Sequence, residues 1–178
     1  MSLPRPRLLA ALALGALALG GCGLQPLYSG GGSGAVARAT AAIAVAPIEG
    51  RAGYLVHNAL TDRLGAAGHD SPRYRLDVRL DEKLSGMIVR SDNSVSRERS
   101  VMRARYQLVD LSNGAILLDA TADADAGIDI VSSEYAVIAA EQTAEANLAQ
   151  AIANQIVTRI ATRLRQGAAS SGATGQPQ

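Results

Sequence analysis

The stretch from Arg97 to Asp129 constrains the fold more than any other, because its turn chemistry and its charges demand the same strand register. Ser112-Asn113-Gly114 suits a three-residue hairpin loop with Gly114 in the left-handed region. Pairing about that loop sets Met102 against Ala124, Ala104 against Ala122, Tyr106 against Ala120 and Leu108 against Leu118 on one face. The other face then carries Arg103 opposite Asp123, Arg97 opposite Asp129, Gln107 opposite Asp119 and Arg105 opposite Thr121. Such complementary cross-strand pairs contribute a few tenths of a kcal/mol each. A two-residue loop would set charged residues against alanines. The hairpin is therefore predicted to be a ribbon with one apolar and one charged face.

The same two-faced pattern precedes it. From Arg73 to Asp81, Tyr74, Leu76, Val78 and Leu80 alternate with Arg73, Arg75, Asp77, Arg79 and Asp81, a strict period of two. Ser91 to Ser96 reads as a polar turn. Upstream, Ala41 to Ile48 is a short apolar run that reads as a strand, which Pro47 either terminates or places at an edge. Leu55, Val56, Ala59, Leu60 and Leu64 follow at helical spacing and end at Gly65. After the hairpin, Ser132 or Ser133 can cap a helix running to about Gln166, with Glu134 in its first turn and Arg159, Arg163 and Arg165 in its last. Its stripe of Leu148, Ile152, Ile156, Ile160 and Leu164 needs a surface to cover. The order βαβββα, with one-faced strands, predicts an α+β two-layer sandwich: two helices on one face of a four-stranded, mostly antiparallel sheet. With no Phe or Trp, its core must come from Ala, Leu, Ile and Val at close helix–sheet approach.

Composition excludes several functions. Seventeen Lys+Arg against sixteen Asp+Glu give no electrostatic footprint for nucleic acid, and five Tyr are the only aromatic rings. A single Cys and two His, His57 and His69, rule out an intrachain disulfide and the usual zinc sites. There is no nucleophile elbow and no phosphate-cradling glycine motif after a strand. The row Asp119, Asp123, Asp125 and Asp129 spans about 33 Å at ~3.3 Å per residue, too far to converge on one ion. It reads as a solvated face paired with arginines. No cofactor or catalytic residue is expected.

The N-terminus sets the compartment. Arg5 and Arg7 precede an uncharged run from Leu8 to Leu19, and Gly20, Gly21 and Cys22 follow, which together form a secretory signal with a small-residue cleavage site. The run falls short of the ~20 apolar residues that span a bilayer. Leu19-Gly20-Gly21-Cys22 resembles a bacterial lipobox, which implies acylation of Cys22. By the sorting rules of such lipoproteins, Gly23, rather than Asp, implies the outer membrane. The expected organisation is a signal over 1–21, a lipidated N-terminus and flexible tether over 22–39, a folded domain over 40–166 and a disordered tail over 167–178. Within the tether, Ser29 to Gly34 reads SGGGSG.

Charge is distributed unevenly. Arg73 to Arg105 holds nine basic and five acidic residues, whereas Tyr106 to Glu145 holds eight acidic and no basic ones. Sixteen of the seventeen cations are Arg, whose planar fork suits bidentate phosphate contact. Arg97, Arg99, Arg103 and Arg105 share one strand face and are the candidate anion-binding row. Asp129 and Asp123 stand opposite Arg97 and Arg103, so Arg99 and Arg105 are expected to be the freer cations.

Three segments carry a family resemblance: Cys22-Gly23-Leu24-Gln25-Pro26-Leu27-Tyr28; Arg97 followed by Tyr106-Gln107-Leu108-Val109-Asp110 and Asn113-Gly114; and Ser133-Glu134-Tyr135-Ala136 opening an Ala-rich helix. In this order and spacing the chain resembles LptE, the lipopolysaccharide-assembly lipoproteins, over nearly all of its length after the signal. The resemblance implies two helices on a four-stranded sheet, inserted as a plug into the LptD outer-membrane β-barrel. It also implies a non-enzymatic role in barrel assembly and in delivery of lipopolysaccharide. Independently of the resemblance, the shared face and spacing of the arginine row lead to the expectation that it contacts phosphates of lipopolysaccharide or a related glycolipid. The rival class is a stand-alone periplasm-facing lipoprotein, such as a secretin pilot, that scaffolds another envelope machine.

Overall fold

The alternation in sequence becomes a long antiparallel ribbon. The structure, a computed structural model, describes residues 35–65, 71–89 and 95–173. The signal, Cys22, the SGGGSG segment, His69, Ser91 to Ser94 of the expected turn and residues 174–178 lie outside the described residues. The elements are α1 (Ala35–Ala41), β1 (Ile43–Val45), α2 (Gly50–Leu64), β2 (Tyr74–Val89), β3 (Val95–Asp110), β4 (Ile116–Asp129) and α3 (Glu134–Ala173). The strands form one sheet in the order β1-β2-β3-β4, with β1 parallel to β2 and the remaining pairs antiparallel. The two-layer sandwich expected from the sequence is present, with α1 added before β1 where the tether was expected to end. At the other end α3 runs on to Ala173, seven residues past the expected stop at Gln166.

The hairpin has the predicted register from Arg97↔Asp129 through Leu108↔Leu118. Its closure differs. Asp110 N–H donates to the Ala115 carbonyl at 2.9 Å and Gly114 N–H to the Asp110 carbonyl at 2.8 Å, so four residues, Leu111 to Gly114, make the loop instead of three. Leu117 is then the unpaired extra residue of a bulge between Val109↔Ile116 and Leu108↔Leu118, and it restores the register. Side chains select this closure. The Asp110 carboxylate accepts from Ser112 N–H at 2.9 Å and Ser112 Oγ at 2.6 Å, and Asn113 Oδ1 accepts from Ala115 N–H at 2.9 Å. Gly114 is left-handed at φ 71°. Those hydrogen bonds hold the buried Asp110 carboxyl below the usual carboxylate range.

In β2, in β3 and in β4 past the bulge the even-numbered residues face the helices, whereas in β1 the odd-numbered Ile43 does. Tyr74, Leu76, Val78, Met102, Ala104, Tyr106, Leu108 and Ala122 are buried against Val56, Ala59, Leu60 and Leu64 of α2 and against Leu148, Ile152, Ile156 and Ile160 of α3. Ala104, Ala149, Ala153 and Ala161 are fully inaccessible, which is how a core without Phe or Trp closes: small residues let the helices sit low on the sheet. The chain entering α2 is equally close. A Cβ on Gly53 would lie 2.6 Å from the Ile48 carbonyl oxygen, so only glycine fits there. Ser133 begins α3 as expected, accepting from Ala136 N–H through Oγ at 3.4 Å.

The two sheet edges end differently. Along β4, α3 lays three donors on outward carbonyls: Gln155 on Asp123 at 2.9 Å, Arg159 on Thr121 at 3.4 Å, and Arg163 on the bulge residue Leu117 at 2.9 Å. Their spacing of four residues keeps them on one helix face. Along β2, β1 covers only Tyr74 to Leu76.

Candidate functional site

The face of the sheet away from the helices carries the odd-numbered residues, and on it lie all four candidate arginines. Side by side across β2, β3 and β4 run Asp77, Gln107 and Asp119; Arg79, Arg105 and Thr121; Asp81, Arg103 and Asp123. Every one of these arginines is exposed.

Their pairing corrects the expectation. Arg97 does bind Asp129, at 3.4 Å, with its guanidinium lying over Gly127. Arg99 and Arg105, expected to be the freer cations, are both paired: Arg99 with Asp125 at 3.1 Å and Arg105 with Asp119 at 3.1 Å. Arg103, expected to be neutralised by Asp123, forms no ion pair among the described residues. The reason is geometric. Asp125 stands opposite Val101 and Asp119 opposite Gln107, so the bonds run diagonally, and twist brings diagonal neighbours within reach of a long guanidinium. Asp119 also accepts from Gln107 at 2.8 Å. The Arg105 hydrogen bond, then that of Gln107, lowers the Asp119 pKa, and Asp119 in turn raises that of Arg105.

Arg79 is the cation that sequence reasoning missed. It stands directly opposite Arg105, and it too forms no ion pair among the described residues. The alternation of β2 exposed it, but its neighbours depend on the β2–β3 register, which the sequence around 90–94 does not reveal. Of the acidic row, Asp119, Asp125 and Asp129 are held by arginines, whereas Asp123, expected to pair with Arg103, forms no ion pair among the described residues. Among the described residues no group of three or more His, Cys, Asp or Glu gathers as a metal-binding cluster, and no helix is long and apolar enough to cross a membrane.

On the helix side, Tyr106 lies buried under Arg159, and burial pushes its phenol pKa up. A cavity of about 490 Å³ opens beside it between β4 and α3, lined by Thr121, Asn154, Thr158 and Thr162. Burial, and then the Glu145 carboxylate, raise the pKa of Glu82, while Glu145 is itself paired with Arg51 at 3.4 Å.

Comparison with known proteins adds to this geometry. A family model described as LptE, lipopolysaccharide-assembly, matches residues 40–160. A protein of Caulobacter crescentus CB15 described as a lipoprotein is similar over 73% of this chain and 96% of its own, at 28% identity and a TM-score of 0.63. The uncharacterized lipoprotein B of Nitrosomonas europaea shares the fold at 12% identity, TM-score 0.55, covering 70% of this chain and 85% of its own. A minor lipoprotein of Acinetobacter baumannii does so at 12% identity, TM-score 0.51, covering 67% and 90%. No curated protein matches the chain.

Proposed function

The chain belongs to the LptE lipopolysaccharide-assembly family, and on that premise we propose that it is an outer-membrane lipoprotein, acylated at Cys22, that plugs an LptD-like β-barrel. In this role it assists lipopolysaccharide assembly and transport to the cell surface and catalyses no reaction. The observation that carries the reading is the family match over residues 40–160, which takes in all four strands, the helix Gly50–Leu64 and most of the final helix. The uncovered sheet face supports it. Charges that already have partners in water can meet a wet, polar barrel wall without being buried unpaired.

Glycolipid phosphate contact is assigned within the row Arg97, Arg99, Arg103 and Arg105, and the pairing pattern moves the emphasis to Arg103. A guanidinium without a carboxylate partner offers its fork to phosphate at no cost in a broken pair. Affinity capture of the tagged chain from detergent-solubilised outer membrane, followed by mass spectrometry, tests the main reading. A one-to-one complex with a large β-barrel is expected, and capture of a secretin or of soluble proteins alone would overturn it. The mature N-terminus should be an acylated Cys22, and Arg103→Glu should weaken lipopolysaccharide binding more than Arg99→Glu.

A further inference from the structure

The helical layer leads beyond this reading, because it covers only part of the sheet. α2 and α3 run side by side, joined by Arg63 to Gln150 and Asn154 and by Arg51 to Glu145 at 3.4 Å. α2 begins at Gly50, where the chain has come up past Asp77 to Leu80 through Ala46 to Glu49. α3 begins earlier, at Glu134, about 16 Å before Glu145 at ~1.5 Å per residue. The strands also run on. Past Leu80 the helix side of the sheet continues with Glu82 and Leu84 of β2 and with Ser100 and Glu98 of β3. Leu76, under the helices, is inaccessible, whereas Leu84 is 53% exposed.

The side of α3 that meets α2 through Glu145 continues four, seven and eleven residues earlier with Glu141, Ile138 and Glu134. Ile138 is 44% exposed, and Tyr135 stands open beside it. Leu84 below and Ile138 at the side thus bound a place that α2 would fill if it were about three turns longer. The charges around that place have one sign. They are Glu82, Glu98, Glu134, Glu141 and Glu145, and among the described residues the one cation there is Arg51, already paired. We propose that a basic amphipathic helix of a protein partner, about three turns long, occupies this place end to end with α2. Its apolar stripe lies on Leu84 and Ile138, and its Lys or Arg flanks meet Glu82 and Glu98 on the sheet and Glu134 and Glu141 on α3. Charge complementarity selects this occupant. A second copy would bring one acidic rim against another, and a phosphate-bearing lipid surface would be repelled. Burial, and then the Glu145 carboxylate, disfavour the charged form of Glu82, and an incoming cation relieves both.

A synthetic peptide of about fourteen residues, with leucines at helical spacing and lysines on both flanks, tests this by fluorescence anisotropy. The full chain is purified in a zwitterionic detergent, and protein-free micelles give the baseline. Wild type should bind this peptide and should bind neither the same residues reordered to break the leucine stripe nor a counterpart with Glu in place of Lys. Glu134→Lys with Glu141→Lys should bind the basic peptide about tenfold more weakly and should gain affinity for the acidic counterpart. Leu84→Ser and Ile138→Ser should each weaken binding several-fold. All four positions are exposed or half-exposed, so the fold is not at stake. Asp62→Lys with Asp123→Lys makes the same change of net charge elsewhere and should leave binding as in wild type. Equal binding of the reordered peptide, unchanged binding by the Glu134/Glu141 variant, or equal weakening by the Asp62/Asp123 variant would each overturn the proposal. So would a peptide-free dimer in sedimentation velocity that Leu84→Ser dissolves, which would give the place to a second copy. Neither a barrel nor lipopolysaccharide is present in these measurements, so they do not depend on the proposed function.

Discussion

The two faces of the sheet are built from the same strands and held by different physics. On the helix side, Leu76, Met102, Tyr106, Ile152 and Ile156 are sealed from water, and each large aliphatic contributes roughly 1.5–3 kcal/mol through burial. On the other side, Arg97, Arg99 and Arg105 reach carboxylates across half-exposed ion pairs, each worth ~0–1 kcal/mol. The helix face therefore decides whether the chain folds. The charged face decides what it can touch, and it can vary without endangering the fold.

Substitutions that cross this division should separate the two. Ile156→Ala, which opens a cavity under α3, is expected to destabilise by about 2–5 kcal/mol, read as a lower urea midpoint at unchanged slope. Gly53→Ala should cost about 1–3 kcal/mol, because its Cβ would meet the Ile48 carbonyl. At Asp110 the effect depends on pH. Its folded pKa is lowered, so the unfolded state binds more protons between that value and the ordinary Asp range. The stabilisation is fully present above the ordinary range and is lost as pH falls through the folded value. Asp110→Asn should flatten the acid limb of a pH–stability curve. Smallest of all, a double-mutant cycle on Arg99→Ala and Asp125→Ala should give a coupling of about 0.2–1 kcal/mol that shrinks as salt is added. A coupling of several kcal/mol would break the comparison between the faces.

Local chemistry made much of this legible in the sequence. The alternation of Tyr74, Leu76 and Val78, and the charge match across Ser112 to Gly114, sufficed to place β2 and to pair β3 with β4. The loop closure was less accessible, since a three-residue loop and a four-residue loop with a bulge at Leu117 reach the same register. Only the hydrogen bonds of Asp110 and Asn113 distinguish them. The arginine partners were hidden for another reason. Direct opposition can be counted along a sequence, but the diagonals taken by Arg99 and Arg105 depend on twist, and the position of Arg79 beside Arg105 depends on a register spanning 90–94. The helix Ala35–Ala41 carries too little periodicity in seven residues to be read.

The parallel pairing of β1 with β2 also determines how the domain bears load. α1 leads into β1 at the end of the sheet where β2 begins, and β1 runs from there alongside Tyr74, Arg75 and Leu76. A pull transmitted through the N-terminal segment would act along the strand axis, so the three rungs of that pair would be strained together in shear and could not be peeled apart one at a time. Behind them Ile43 is buried in the core, and Arg73 and Tyr74 both donate to the Ala42 carbonyl, a clamp at the point where the force would enter. Three residues of strand thus serve as a mechanical anchor for everything that follows.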